Sequence, residues 1–280
     1  MRYTNKLNLP EAIIKFVNSD EHEIKPHRYS VTELLNPTRM ILLYRKYYNE
    51  IVRDVSDSVP ALLGTAVHGI FEKYSDPEKS EVEFETTFGE DTLAGRIDYL
   101  DLDSKTITDY KTTSCAKVVR EDFSDWKMQG LMYAYLVYKA KDVIIRKLRF
   151  IALLKDWSKL RPNPTSPVYV WEYNVQDSDY DFVIKYIKDK LFEINYAIQS
   201  GVIPECTDEE KWYSGTKYAY YKRGNDKRAK AVFDKREEAE EMKMNADEGL
   251  IVTRPGECRR CMYYCDVCKF CDKLKEVTDE

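Results

Sequence analysis

The chain has 280 residues, 43% hydrophobic and 33% charged, enough to bury a core as one large domain or a domain with a small appendage. No run of 18 uncharged apolar residues exists, which argues against a transmembrane helix. The N-terminal "MRYTNKLNLPEAIIKF" also lacks the apolar stretch of a secretory signal, so a cytoplasmic protein with no membrane partner is expected. A net charge of −5 excludes a surface basic all over but leaves room for a local basic groove.

Residues 10 to 20 read as a short helix starting at Pro10. In "SVTELLNP", Ser30 and Glu33 have capping-box spacing, and Pro37 breaks the helix before a second amphipathic one. "SVPALLGTAVHGIFEKY" reads as a helix from about Pro60 to Tyr74, whose Gly64, Ala66 and Gly69 permit close packing. "EVEFETTFG" alternates like a strand, and "GRIDYLDLDSKTITDYKTTS" reads as a hairpin. "WKMQGLMYAYLVYKA" is a helix by period and length. "VIIRKLRFIALLKDW" contains a buried strand, and "PVYVWEYNV" is another. A long amphipathic helix follows, with Asp177 or Ser178 as N-cap and Gly201 as its stop.

After Pro204 the character changes. "KYAYYKRGNDKRAKAVF" reads as a hairpin turning at Gly224-Asn225, with six Lys or Arg against one Asp between Lys217 and Lys230. "KREEAEEMKMNAD" is a charged helix, and "GLIVTRPGE" holds a short strand. The expected division is 1–204 and 205–280. Tyrosine is abundant, with 22 residues; most serve packing, and a few suit stacking on bases.

The hairpin carries the first chemical signal. A turn centred on Asp103 and Ser104 sets Asp98 opposite Asp109, with Cβ atoms about 5 Å apart. Two carboxylates that close repel unless a cation lies between them. Lys111, two residues after Asp109, projects from the same face. A hard divalent ion suits such a pair, and an adjacent ammonium suits charge stabilisation at a phosphate. D-x-K alone is a weak pattern, and on the hairpin by itself ordinary solvated surface charges are the favoured reading. Two further residues add weight. His68 lies on a helix face of apolar and small residues, where a lone histidine is more often a satisfied core group than a ligand, yet Glu72 lies one turn on to orient the imidazole. Gln129 is followed by Tyr133 one turn later; plain packing accounts for either, and Gln129 also suits positioning a cleaved phosphate or a base.

Taken in order, "SVTELLNP", "LLGTAVHGIFE", "GRIDY", "DYKTTS" and "WKMQGLMYAYL" resemble the PD-(D/E)XK nuclease superfamily, in its RecB-like exonuclease branch. They cover about residues 29 to 136, and similarity to phage-type members runs through "PECTDEEKW" to the C-terminus. The resemblance implies an α/β, restriction-endonuclease-like core: a central mixed β-sheet flanked by helices, plus a small C-terminal cysteine-rich subdomain. It implies that His68, Asp98, Asp109 and the Tyr110 carbonyl hold Mg2+ or Mn2+. Lys111 becomes the catalytic lysine, and Gln129 and Tyr133 fill the helix motif that follows. The first acid stands in "GRID" where the superfamily name has "PD".

Seven cysteines occur, five of them in C-x2-C-x3-C-x2-C-x2-C from Cys258 to Cys271. In a chain read as intracellular this crowding indicates metal ligation over disulfides. Zinc and an iron–sulfur cluster are both open on spacing alone. RecB-like relatives with a four-cysteine 4Fe-4S cluster place one ligand before the core, whereas no cysteine here precedes residue 115. The phage-type resemblance implies Cys206, Cys261, Cys265 and Cys271 as ligands, with Cys258 and Cys268 in reserve. Cys115 reads as a small core residue.

The expected function is a Mg- or Mn-dependent DNA exonuclease of phage or bacterial recombination, repair or replication. Its substrate is single-stranded DNA or DNA with free ends, gripped by Gln129, Tyr133, Lys222, Arg223, Lys227 and Arg228. The alternative is a non-catalytic nucleic-acid-binding subunit of a helicase–nuclease or CRISPR-adaptation-like complex. No G-x-x-x-x-G-K-[ST] loop is present, so a helicase or recombinase motor would be a separate partner chain.

Overall fold

The computed structural model describes residues 1–19, 23–160, 163–222, 227–246 and 249–273. The chain divides into two units, Met1–Ile203 and Pro204–Glu280. Among the described residues no helix is long and apolar enough to cross a membrane.

The larger unit runs β1 (Arg2–Thr4), α1 (Glu11–Asn18), β2 (Arg28–Ser30), α2 (Val31–Leu34), α3 (Thr38–Tyr47), β3 (Val52–Asp54) and α4 (Val59–Tyr74). It continues with β4 (Ser80–Phe88), β5 (Asp91–Asp101), β6 (Thr106–Thr113), α5 (Cys115–Arg120), α6 (Ser124–Lys141), β7 (Lys147–Leu154), β8 (Val168–Asn174) and α7 (Asp177–Ser200). The central sheet has the order β2-β5-β6-β7-β8, with β4 on the other edge of β5. It is mixed: β2 with β5 and β6 with β7 are parallel, the remaining pairs antiparallel. The α/β class, with a mixed sheet and flanking helices, is the one expected.

Local sequence explains the elements that carry the sheet. The Ser30 hydroxyl accepts the Glu33 N–H at 3.0 Å, closing the expected capping box. Pro37 then stands at the N-cap of α3. β7 alternates, burying Leu148, Phe150, Ala152 and Leu154. α6 is apolar nearly all round because it lies between the sheet and α7, so Leu131, Met132, Ala134, Leu136 and Val137 are all buried.

Two expectations need correction. The N-cap of α7 is Gln176, not Asp177 or Ser178, because the Asp179 carboxylate takes the Gln176 N–H at 2.8 Å. Gly201 does end the helix, at φ 72°. In α4 only Gly64 packs closely, with Thr112 on β6 beneath it; Ala66 and Gly69 are exposed, and no residue of α4 is fully buried.

The smaller unit contains α8 (Asp208–Lys211), β9 (Lys217–Lys222), β10 (Ala231–Phe233), α9 (Arg236–Asn245), β11 (Gly249–Arg254) and α10 (Arg259–Tyr263). Its three-stranded antiparallel sheet has the order β10-β9-β11. The basic hairpin pairs Ala231 with Tyr220; its expected turn at Gly224-Asn225 lies outside the described residues. β11 can lie beside β9 because Gly249 has no side chain: a Cβ there would stand 2.3 Å from the Tyr220 ring. Among the described residues, Ala219, Tyr220, Ala239 and Val267 are the buried apolar residues of this unit.

Candidate active site

The site forms where β5 parts from β6. One edge of β5 is shared: β2 pairs with Thr92–Ala94, and β6 pairs with Tyr99–Asp101. The β5–β6 ladder stops at Tyr99↔Thr108, one step short of an Asp98–Asp109 pair. There the Asp98 carboxylate accepts the Tyr110 N–H at 2.7 Å. On the opposite edge the β4–β5 ladder skips Glu81, whose φ is 51°, while Ser80 pairs with Tyr99 and Val82 with Ile97. A left-handed glutamate within a strand is strained backbone, and it lies beside the acidic group.

Two constellations meet at this fork. In the first, His68 on α4 brings Nδ1 to 3.3 Å from Asp98 Oδ1 and 4.0 Å from Glu81 Oε1. Its Nε2 lies 2.9 Å from the Tyr110 carbonyl, and Phe71, on the same helix, stacks on the Tyr110 ring at 4.1 Å. Ligand atoms of His68, Glu81 and Asp98 all lie within 4.8 Å of one another. The hydrogen bond to Asp98 raises the His68 pKa against the opposing effect of burial, and the Asp98 and Asp109 charges raise it further. Burial raises Glu81 too, while Arg96, whose Nε lies 2.8 Å from Glu81 Oε2, pulls it back.

In the second constellation, Lys111 Nζ lies 2.7 Å from Asp109 Oδ1 and donates to Gln129 Oε1 at 2.8 Å. Gln129 Nε2 in turn donates to Tyr133 Oη at 3.1 Å. Burial drives the Asp109 carboxyl up, Lys111 opposes this, and Asp98 pushes it up again. Burial likewise raises the Tyr133 phenol.

The donor set fits a hard divalent ion: two carboxylates and an imidazole converge, with a backbone carbonyl beside them. Asp109 Oδ1 adds a second sign, since it is buried with no hydrogen bond of acceptable geometry despite the nearby ammonium. A cavity of ≈ 410 Å³ opens on this side, lined by Gly64, Thr65, His68, Gly69, Glu72, Glu81 and Arg96.

Several sequence expectations change in detail. Glu72 lines the cavity, but the imidazole is held by Asp98 and Glu81: partners across the sheet outcompete the i+4 neighbour on the helix. Glu81 was missed. Gln129 and Tyr133 were expected to touch nucleic acid, yet they are 7% and 6% exposed and engaged behind Lys111. Lys222 ends β9, Lys227 and Arg228 are exposed, and Arg223 lies outside the described residues. Cys115 is buried in the core of the larger unit.

Gly95 admits Tyr133 to this site. A Cβ at Gly95 would stand 2.8 Å from the Tyr133 ring and 3.0 Å from both Leu136 and Val31. Gly95→Val is therefore expected to cost about 1–3 kcal/mol of stability by overpacking, read as a lower urea midpoint.

In the smaller unit Cys206 feels the charges of Cys261, Cys265 and Cys271, although among the described residues no three of these thiols lie within 4.8 Å of one another. Burial pushes its pKa up to about 11, with Glu210, Cys261, Cys271 and Cys265 adding. Cys265 is also pushed up to about 11 by burial, against the Val267 N–H, with Cys268, Cys261 and Cys271 contributing. Cys258 forms an isolated bridge with Tyr213. Soft thiolates at this density suit zinc or an iron–sulfur cluster.

A family model for the PD-(D/E)XK nuclease superfamily matches residues 75–271, a stretch that begins after His68. No curated protein matches the chain. Among solved structures, SSO0001 is similar over 64% of this chain and 81% of its own, at 17% identity and a TM-score of 0.46. A candidate exonuclease from Eubacterium rectale is similar over 46% of this chain and 48% of its own, at 13% identity and a TM-score of 0.33. A phage-related exonuclease from Haemophilus somnus 129PT is similar over 68% and 82%, at 11% identity and a TM-score of 0.33.

Proposed function

The chain belongs to the PD-(D/E)XK nuclease superfamily, and from that premise we propose that it is a Mg- or Mn-dependent DNA exonuclease of the RecB-like branch. The observation that carries the reading is the convergence of His68, Glu81 and Asp98 beside the Asp109–Lys111–Gln129 chain. Phage or bacterial recombination, repair or replication is the setting that the RecB-like resemblance suggests.

In this reading His68, Asp98, Asp109 and the Tyr110 carbonyl hold the ion, with Glu81 as a further carboxylate. A bound Mg2+ or Mn2+ supplies Lewis-acid charge at the scissile phosphate and makes water a better nucleophile. Lys111 donates one N–H to Gln129 and faces Asp109 as an ion pair at 2.7 Å, which leaves N–H groups for the attacking water or a phosphate oxygen. Gln129 fixes the direction of that amine, and Tyr133 fixes Gln129. The Phe71–Tyr110 stack holds α4 on β6 and so sets the height of His68.

The reading is tested by digesting end-labelled single- and double-stranded DNA with magnesium or manganese. Progressive release of short products from an end is expected. Binding without cleavage under every metal would return the chain to the role of a binding subunit. For Glu81→Ala, roughly tenfold or greater loss of manganese affinity is expected in calorimetry without DNA. Unchanged affinity would remove Glu81 from the ligand set.

For the smaller unit, Cys206, Cys261, Cys265 and Cys271 are the ligands in this proposal, with Cys258 and Cys268 as reserves. A 4Fe-4S cluster is preferred to Zn2+ on the branch resemblance. Elemental analysis of the purified protein separates the two: iron with sulfide, or zinc alone.

A further inference from the structure

Within the smaller unit, and among the described residues, the three-stranded sheet is more exposed on one side than on the other. α9 contacts all three strands, and we place it on the Tyr220 side because that side is the less exposed. Tyr220 is wholly buried and Ala231, Phe233, Gly249 and Ile251 are half-buried, whereas on the other side the small Ala219 is buried between exposed Val232 and Val252. Alternation sends Lys217, Ala219 and Tyr221 of β9 to the other side. The register sets Arg254, Val252 and Leu250 of β11 beside them, and Val232 of β10 beside Ala219. Lys230, whose N–H donates to the Tyr220 carbonyl at 2.8 Å, continues this register opposite Tyr221. Val232, Leu250 and Val252 are 49%, 59% and 37% exposed there. Lys222 belongs by alternation to the helix-covered side.

This open side has an apolar floor and a cationic rim. Arg254 Nη2 donates to Tyr221 Oη at 2.6 Å, and its guanidinium lies 5.9 Å from the Tyr221 ring centre, so the ring is held in place. Lys217 and Lys230 stand at the two ends, and the exposed Lys227 and Arg228 follow in the turn. Among the described residues, the acid level with this side, Asp234, is paired with Lys217. The acids Glu237, Glu238, Glu240 and Glu241 sit on α9, across the sheet. α9 sets these four acids against Arg236 and Lys243, whereas on the open side Arg254 and Lys230 add to the Lys217–Asp234 pair, so the described residues of the open side are net positive and complement a polyanion.

We propose that the open side of this sheet binds single-stranded nucleic acid, with Tyr221 as the stacking ring and Arg254, Lys217 and Lys230 as phosphate partners. A single strand offers both the phosphates that the rim attracts and the unpaired bases that the floor and ring accept. A duplex hides its bases, and an acidic peptide has no use for an aromatic platform. The proposal rests on the nuclease reading only for the choice of ligand, and its test measures binding.

The test uses the full chain with its metals, carrying Lys111→Ala so that the ligand survives. Anisotropy of a labelled oligothymidylate should show at least about tenfold weaker binding for Tyr221→Ala and for Arg254→Ala. Tyr221→Trp should bind as the parent does, and the Arg254→Ala variant should depend less on salt. A 5-bromouracil strand irradiated with the otherwise unaltered protein should crosslink within Lys217–Lys222 or Gly249–Arg254, whatever the folding of the variants. Equal affinity in both variants, or crosslinks lying wholly elsewhere, would overturn the platform. Its loss beside intact cleavage of end-labelled DNA leaves the nuclease reading standing. Crosslinking there without any cleavage does the reverse.

Discussion

Lys111→Ala should lose cleavage by about a thousandfold or more while still binding manganese and DNA. The loss is large because Lys111 is the cation that the structure aims at the junction of the two constellations. Its Nζ is fixed from two sides, at 2.7 Å from Asp109 and 2.8 Å from Gln129. An amine so held needs no reorganisation when charge grows on the phosphate. Metal binding should survive because His68, Glu81 and Asp98 do not depend on Lys111 for their positions. Asp109 is then left buried without its ammonium, which strengthens its preference for a bound cation over remaining ionised alone. Calorimetry with manganese and single-turnover cleavage separate the two effects. Gln129→Leu provides the graded companion, with a smaller fall in kcat and little change in KM, since it releases the amine without removing it. Undiminished turnover in Lys111→Ala would make the ammonium a mere counter-ion to Asp109.

The hairpin acids and the lysine were legible because strand pairing has a period of two and the polar turn sets the register. Asp98, Asp109 and Lys111 follow from that arithmetic, although the ladder stops one step early. The paired helices around Pro37 were legible from a local signal, the Ser30–Glu33 box. Glu81 was not. Its place beside Asp98 depends on the whole β4–β5 ladder and on a left-handed backbone that glutamate rarely adopts. The preference of His68 for Asp98 over Glu72 is hidden for a related reason. Helix spacing foretells an i+4 neighbour, whereas the actual partner comes from a strand that α4 meets only in the folded chain. Gln129 was visible as a residue, but its burial behind Lys111 depends on how α6 lies on the sheet, so its role could not be read. The basic hairpin was visible as charge alone. Which of its residues share a side required the pairing of β11 with β9, whose partners Gly249 and Lys222 are 27 positions apart and Ile251 and Tyr220 are 31 apart.

Cys206→Ser is expected to strip the bound metal and unfold the smaller unit while the nuclease core stays folded. The reason is the thinness of that unit's own core. Its buried apolar residues, among those described, are Ala219, Tyr220, Ala239 and Val267, and neither α10 nor the Cys268–Phe270 turn buries a residue fully. So little apolar burial cannot offset the entropy of ordering the tail. A structural metal can, since it contributes on the order of 10 kcal/mol in small domains. In the proposed ligand set Cys206 is the thiol whose loss should matter most, because it stands before α8 while Cys261, Cys265 and Cys271 lie more than 50 residues further along the chain. Hydrogen exchange reads the outcome directly. Amides of β9 and β11 should lose protection in Cys206→Ser, while those of β6 and β7, central in the larger sheet, should keep theirs. Cys115→Ser is the control, since its thiol is packed in the core of the larger unit and should leave metal content unchanged. Cys258→Ser and Cys268→Ser, if either strips the metal as completely as Cys206→Ser, would exchange a reserve cysteine for one of the four. Full protection of β9 in the metal-free variant would instead mean that the short sheet and its single helix stand on packing alone.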